Sequence, residues 1–413
     1  MDSQVESRAE YYAEIAVKID LDVSPVGEYL RKYDGTDESG WNTHLAVDTL
    51  DELARRGHQP ATEMLIEYIR WGTHWEHPFY NSSAVRNDAL VEGLTKSLEL
   101  RFPSDEDLKK GIDWFFLDQE PWLSMFRYSP RFATFQNNAR KRSDELRKQK
   151  DFSHLDRLTV AQLLGEDFIS NDAHYYRKAL EKIVTPADID FLVSRVSVEK
   201  PALASVAFSG LAKLAPPRIF DWLKKFWTDH PDLHGLIMRG LWDLIVAMPP
   251  DVSLPLAREW VFHKRRHERW FANRVLRVHA TREDIPLLRR AIRLALRDDE
   301  KNLYRICDLV EAFDNLPDVG VIPELLEVYT QFRYSHGRML AAQAIEVTSP
   351  NHFEEGLAFE CLWDCQAGTR ELAVERVLID GPAARARVVE LGADIFEDDD
   401  VREAACKRLE KAA

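Results

Sequence analysis

The sequence predicts an all-α chain: a solenoid of two-helix units with a period of about 33 residues, preceded by an irregular helical N-terminal region. Three observations carry this. From residue 200 onward an apolar helix, a short Pro/Asp/Thr-rich turn and a second apolar helix recur. The residues closing each first helix fall at a near-constant spacing. Strand signals are nearly absent, with no Asn-Gly hairpin and few Val/Ile/Thr alternations. Self-similarity at a period of roughly 20–50 residues marks a stack in which each unit buries its apolar face on its neighbours.

Residues 1–150 read as helical without the regular period. Leu45-Ala46-Val47, Leu50 and Leu53-Ala54 form an apolar stripe that stops at Arg55-Arg56-Gly57, and a second helix starts at Ala61. Residues 71–80 and 113–135 are rich in aromatic side chains. Residues 136–156 turn polar and charged, which reads as an exposed helix or linker and divides the chain into 1–150 and a repeat region, 151–413. In that region the first helices close at Leu214, Ala247, His279, Phe313, Val347 and Asp380, spaced by 33, 32, 34, 34 and 33 residues. Thr281-Arg282-Glu283-Asp284 places a cap and acids before Ile285, with Pro286 in the first turn of the second helix. Ser349-Pro350, Gly381-Pro382 and Pro249-Pro250-Asp251 have the same character.

Helix pairs at this spacing resemble HEAT-like repeats over roughly residues 170–413, and Val401-Arg402-Glu403-Ala404-Ala405 looks like the start of one such repeat. The resemblance implies an architecture with a concave face lined by second helices, and no particular activity.

Composition narrows the class further. With 45% hydrophobic residues the chain can bury a sizeable core, which excludes an intrinsically disordered protein. A formal charge of −15 argues against coating nucleic acid or anionic membrane indiscriminately, while leaving a local basic groove open. The acidic N-terminus lacks a secretory signal, and no apolar run reaches the roughly 18 residues of a membrane span. A cytoplasmic protein with no membrane partner is expected. Cys307, Cys361, Cys365 and Cys406 are too few and scattered for a disulfide framework and read as core residues.

The charge is segregated. Residues 1–100 carry a net −10 and residues 351–413 a net −7, whereas residues 258–297 hold 12 bases against 4 acids. Arg289, Arg293 and Arg297 share one face of a helix whose other face carries Ile285, Leu288, Ile292 and Leu296. Arg269, Asn273 and Arg277 form a similar stripe on the preceding helix, and Arg265 and Arg266 precede it in the run Lys264-Arg265-Arg266. Guanidinium forks suit phosphate and carboxylate. The stripe reads either as a solvated or internally balanced face, or as the binding site of an anionic partner, an acidic protein segment or a nucleic-acid backbone.

Catalytic motifs are sparse. No phosphate loop, dinucleotide fingerprint or nucleophile elbow occurs. His74 and His77 could share a metal on a helix, but Pro78 follows directly, so packing in a loop is the simpler reading and neither metal nor cofactor is expected. Trp114-Phe115-Phe116-Leu117-Asp118 resembles the Trp-x-x-x-Asp of HEAT-like alkylpurine DNA glycosylases, with Trp122 close by. That resemblance implies that Asp118 stabilises positive charge on the sugar while Trp114 and Trp122 cradle the lesion. The motif departs from the family by lying outside the repeats. The first expectation is therefore a non-enzymatic scaffold with an arginine-lined concave surface. The alternatives are a glycosylase-type repair enzyme, or a small-molecule or protein-modifying enzyme with an aromatic pocket between head and repeats.

Overall fold

The structure is a computed structural model that describes residues 3–36, 41–79, 88–112, 125, 127–135, 137–138, 141, 152–165, 168–169, 172–230, 235–297 and 299–411. Among them every regular element is helical and none is a strand. The chain separates into two compact units, one built from Met1–Gln149 together with Glu355–Ala413 and the other from Lys150–Glu354. Residues 355–413, which the sequence pattern continues from the repeats, thus group with the first 149.

In the central unit the helix Pro201–Leu214 lies on Gly235–Ala247, that helix on Arg266–His279, and the series continues through Asp299–Glu311 to Ser335–Thr348. Three intervening helices, Pro250–Trp260, Ile285–Leu296 and Pro323–Gln331, each pack on the one that follows in sequence. Their apolar spacing dictates the contact: Leu241, Leu244, Val275, Leu276, Leu288, Ile292, Ile306 and Leu309 are all fully or almost fully buried. Gly240 permits the closest approach. A Cβ there would stand 2.5 Å from the Ser205 carbonyl oxygen, so any side chain would push the Pro201–Leu214 and Gly235–Ala247 helices apart.

Leu214, Ala247 and His279 are the last residues of their helices. Phe313 falls instead in the short 3₁₀ turn Ala312–Asn315, Val347 is the penultimate residue of Ser335–Thr348, and Asp380 lies beyond the end of Ala367–Arg376. The cap at Thr281 forms as its sequence requires: Asp284 accepts from the Thr281 backbone N–H at 2.9 Å and its hydroxyl at 3.0 Å. Thr185 and Asp188 make the same box three helix pairs earlier, at 2.9 and 2.7 Å.

A second contact recurs along the chain. Side chains donate to a main-chain carbonyl some 31–33 positions earlier: Arg195 to Leu164 at 2.6 Å, Lys213 to Glu181, and Arg408 to Val377 at 2.7 Å. His279 meets Val246 O at 3.2 Å. Ser97 on Ile66 and Arg101 on Ile69, at 2.8 and 3.1 Å, follow the same offset. Most of these bonds reach carbonyls in or just beyond the last turn of a helix, which lack an intrahelical donor.

In the other unit Ser3–Lys18 packs on Trp41–Arg55, which packs on Gln59–Trp71, which packs on Asp88–Arg101. The core between them contains Leu50, Leu53, Leu65, Tyr68, Ile69, Leu94 and Leu98. The C-terminal helices Ala367–Arg376 and Pro382–Ala393 both pack on Asp399–Lys411. Ion pairs join the two stretches of chain: Lys18 to Glu390 at 2.6 Å, Arg387 to Glu14 at 3.0 Å and Arg56 to Asp394 at 3.5 Å.

Candidate functional site

The arginines singled out by spacing have different fates. Arg289 and Arg293, on Ile285–Leu296, both reach Glu324, which is almost fully buried in the first turn of Pro323–Gln331; Arg289 Nε lies 2.6 Å from its carboxylate. Burial disfavours the Glu324 charge, but the hydrogen bond from Arg289, a backbone hydrogen bond and the charges of Arg289 and Arg293 together outweigh it and hold the carboxyl below its ordinary range. Arg277 pairs with Glu311 at 2.5 Å and lies 3.7 Å from Asp308. Asn273, between Arg269 and Arg277 on the stripe, is 1% exposed, so that face is packed rather than solvated. Arg297 is exposed at the end of its helix.

Arg274, which the spacing argument passed over, is the most enclosed cation of the block. It lies 2.9 Å from Asp308 and stacks with its guanidinium carbon 3.2 Å from the centre of the Trp242 ring. Burial pushes the Asp308 carboxyl up to about 7 against the pull of Arg274 and Arg277. Burial likewise lowers Arg274.

Arg265, Arg266 and Arg269 belong to a different environment. Between Pro250–Trp260 and Arg266–His279 the chain makes a short loop, whose carbonyls are held from two sides. Arg269 donates to the carbonyls of His263 and Lys264 at 2.8 and 2.7 Å, and Arg305 to that of Val261 at 3.1 Å. Arg305 is itself so enclosed that burial lowers its pKa to about 10. The clamped loop presents His263, Lys264, Arg265 and Arg266 as an exposed basic run. It borders an open cleft of about 650 Å³ whose lining includes Trp260, Phe262, His263, Lys264, Arg265 and Glu268. Lys224 sits 5.9 Å above the Trp260 ring and Arg290 4.6 Å from that of Phe262, which adds two more cations. Exposed Glu259 is the acid on the rim.

Glu268 is 5% exposed, at the third position of Arg266–His279, where an acid suits the helix dipole. Its Oε1 lies 3.5 Å from Arg265, while Oε2 makes no hydrogen bond and stands 3.8 Å from His263 Nδ1. Sequence reading missed Glu268, Trp260 and Phe262 as site residues. The available signal was the aromatic pair Trp260-x-Phe262 directly before the basic run.

Family models, curated proteins and solved structures alike return nothing similar. Among the described residues no helix is long and apolar enough to cross a membrane.

The remaining sequence candidates divide simply. Trp114, Asp118 and Trp122 lie outside the described residues, as does much of the aromatic segment 113–135. His74 and His77 join His44 and Asp48 in one cluster. His44 Nε2 lies 2.9 Å from His74 Nδ1, His44 stacks on His77 with ring centres 3.7 Å apart, and His77 Nδ1 is 3.3 Å from Asp48. The nitrogens thus bond to one another and to Asp48, and among the described residues no three His, Cys, Asp or Glu side chains are arranged to hold a metal ion.

Proposed function

We propose that the chain is a HEAT-like helical-repeat scaffold that binds an anionic macromolecule, a nucleic-acid backbone, through the basic cleft at residues 260–268 and does so without catalysis. The repeat reading is supported by the stacking of successive first helices and by the side-chain-to-carbonyl contacts at an offset of 31–33 residues. The same offset at Ser97 and Arg101 extends that reading into the N-terminal region. Repeat arrays serve chiefly as extended binding surfaces.

One observation carries the binding reading: the loop that bears Lys264, Arg265 and Arg266 is fixed by two arginines at its carbonyls, beside a cleft with aromatic walls. Basic side chains interleaved with aromatic rings suit a phosphate backbone with bases to stack. Arg277, Arg289 and Arg293 contribute to folding through their carboxylate partners, and Arg269 holds the loop, so the proposed contact surface is centred on Lys264, Arg265 and Arg266, with Arg297 further along.

The test is fluorescence anisotropy with labelled single-stranded and duplex DNA at low and moderate salt, using the wild type and a Lys264→Glu/Arg265→Glu/Arg266→Glu variant. The wild type should bind with an affinity that falls by roughly 0.7–0.9 log units per neutralised phosphate per log unit of salt. The variant should lose on the order of a hundredfold at low salt, three lost cationic contacts each contributing about 1 kcal/mol. Equal affinity of wild type and variant would overturn the site. Binding of an acidic peptide in place of any nucleic acid would assign the surface to a protein segment.

A further inference from the structure

The corner between the first two helices leaves apolar surface open, and hydrogen bonds fix its shape. Ser3–Lys18 ends in a Schellman-type stop: the Leu21 N–H donates to the Ala16 carbonyl at 2.9 Å across Asp20, whose φ of 50° is left-handed. Asp22 then accepts from the Ser24 N–H at 2.9 Å, where the helix Ser24–Tyr33 begins. Both helices pack on Trp41–Arg55. All three contribute to an open cleft of about 460 Å³, lined among others by Ala16, Leu21, Val26, Leu45, Ala46 and Leu53. That volume falls within the roughly 300–1,000 Å³ of small-molecule sites. Apolar side chains also gather at the surface here: Tyr12, Ile15, Val17, Ile19 and Leu21, all within ten residues, are exposed. Such a concentration of apolar surface marks a binding site.

The lining also selects the charge of the occupant. It contains no lysine, arginine or histidine, and its one charged side chain is Asp22. Hydrogen bonds from Ser24 hold the Asp22 carboxyl below its usual range, so it is an anion at neutral pH. The surrounding chain is acidic as well, residues 1–100 carrying a net −10. A fatty acid or other anionic amphiphile would therefore bring a second negative charge to a site whose lining offers no cation. Tyr12 and Tyr29 add two aromatic rings, whose faces attract cations. We infer that this cleft binds a small apolar amine, its hydrocarbon body covered by the aliphatic lining and its ammonium group drawn to Asp22 and the two tyrosines. The site shares no residue with the basic cleft at residues 260–268 and takes a ligand of the opposite charge.

The experiment is calorimetric titration of the full chain with n-decylamine, n-decanol and n-decanoate, which share a carbon count and differ in head-group charge, each kept below its aggregation concentration. The amine should bind more tightly than the alcohol by about two- to fivefold, the effect of one exposed charge pair, and the carboxylate more weakly by a similar factor. Asp22→Asn keeps a side-chain oxygen for the Ser24 N–H and should bring amine and alcohol to within about twofold of each other. Ala46→Phe fills the cleft and should weaken all three probes by about tenfold or more. Should Ala46→Phe fail to fold, Leu21→Lys at an exposed position takes its place and should reverse the order of amine and carboxylate. No saturable binding of any probe up to about 1 mM would overturn the site. Equal affinity for the three head groups, or a preference for the carboxylate, would overturn the amine. Amine binding undiminished in Ala46→Phe would put the ligand elsewhere and overturn the cleft as its site. A wild-type dimer that Ala46→Phe dissociates would give the cleft to a second copy of the chain and overturn the inference as well.

Discussion

Residues 264–269 and residues 274–293 form one arginine-rich block in the sequence, yet the fold gives their charges different work. The later group is drawn inward: Arg274 to Asp308, Arg277 to Glu311, Arg289 and Arg293 to Glu324. In the earlier group Lys264, Arg265 and Arg266 stay at the surface, and Arg269 turns back to hold the loop that displays them. Local spacing is alike in both. What separates them is whether an acid on the next pair of helices lies within reach, and the nearest such acid to Arg289 is 35 positions along the chain. A surface charge estimate made from the sequence therefore overstates the basic face and misplaces its centre.

The sharpest way to break this contrast is Arg274→Met. It leaves Asp308 buried without its closest cation and removes the stack on Trp242, and should destabilise the protein by about 3–5 kcal/mol in denaturant unfolding. Arg265→Ala, at the exposed end of the block, should leave the midpoint unmoved. A midpoint for Arg274→Met equal to the wild type would dissolve the distinction. The joint change Arg289→Ala/Arg293→Ala should be milder, about 2 kcal/mol, since both guanidiniums are partly in solvent although Glu324 is not. Adding Glu324→Gln to that pair should recover part of the loss, because the stranded charge is then gone, and failure to recover any would show that Glu324 was not the reason.

The smallest effect distinguishes two carboxylates by sign. Burial opposes ionisation of Asp284, but hydrogen bonds from Arg258 and Thr281 prevail and hold it below the usual range. Its stabilisation is present above the unfolded value of about 3.9 and is lost as pH falls through the lower folded value. Asp308, pushed up to about 7 by burial, behaves oppositely: its contribution is complete below the unfolded value and lost as pH rises towards its folded one. Melting of Asp284→Asn and Asp308→Asn against the wild type, from about pH 2 to about pH 8, measures both. The wild-type margin over Asp284→Asn should shrink on acidification, and that over Asp308→Asn should shrink on alkalinisation. Parallel curves would erase the difference.

Local chemistry made much of the helical layout legible. Leu214, Ala247 and His279 end their helices where the apolar periodicity stops, and Thr281 caps through Asp284 three residues on. Both signals act within one or two turns of chain. The register weakened where the path departs from simple helix–turn–helix, at the 3₁₀ turn holding Phe313 and the π-helical stretch Phe353–Leu357. The site was less legible because its parts come from separate elements. Glu268 looks like an ordinary first-turn acid until the loop carrying His263 and Arg265 is folded over it. His74 and His77 likewise acquire their partners from His44 and Asp48, about 30 residues earlier and on another helix.

The ion pairs that join the first helix to the last ones bear on the order in which the protein can be completed during synthesis. Glu14 waits for Arg387, 373 positions later, and Lys18 for Glu390, 372 positions later. At about 5–20 residues per second on the ribosome, that interval is roughly 20–75 s. All of residues 150–354, which form the other compact unit, emerge within it. The unit opened by Ser3–Lys18 thus stays incomplete until residues 387–390 have emerged, and only then can Glu14 meet Arg387 and Lys18 meet Glu390.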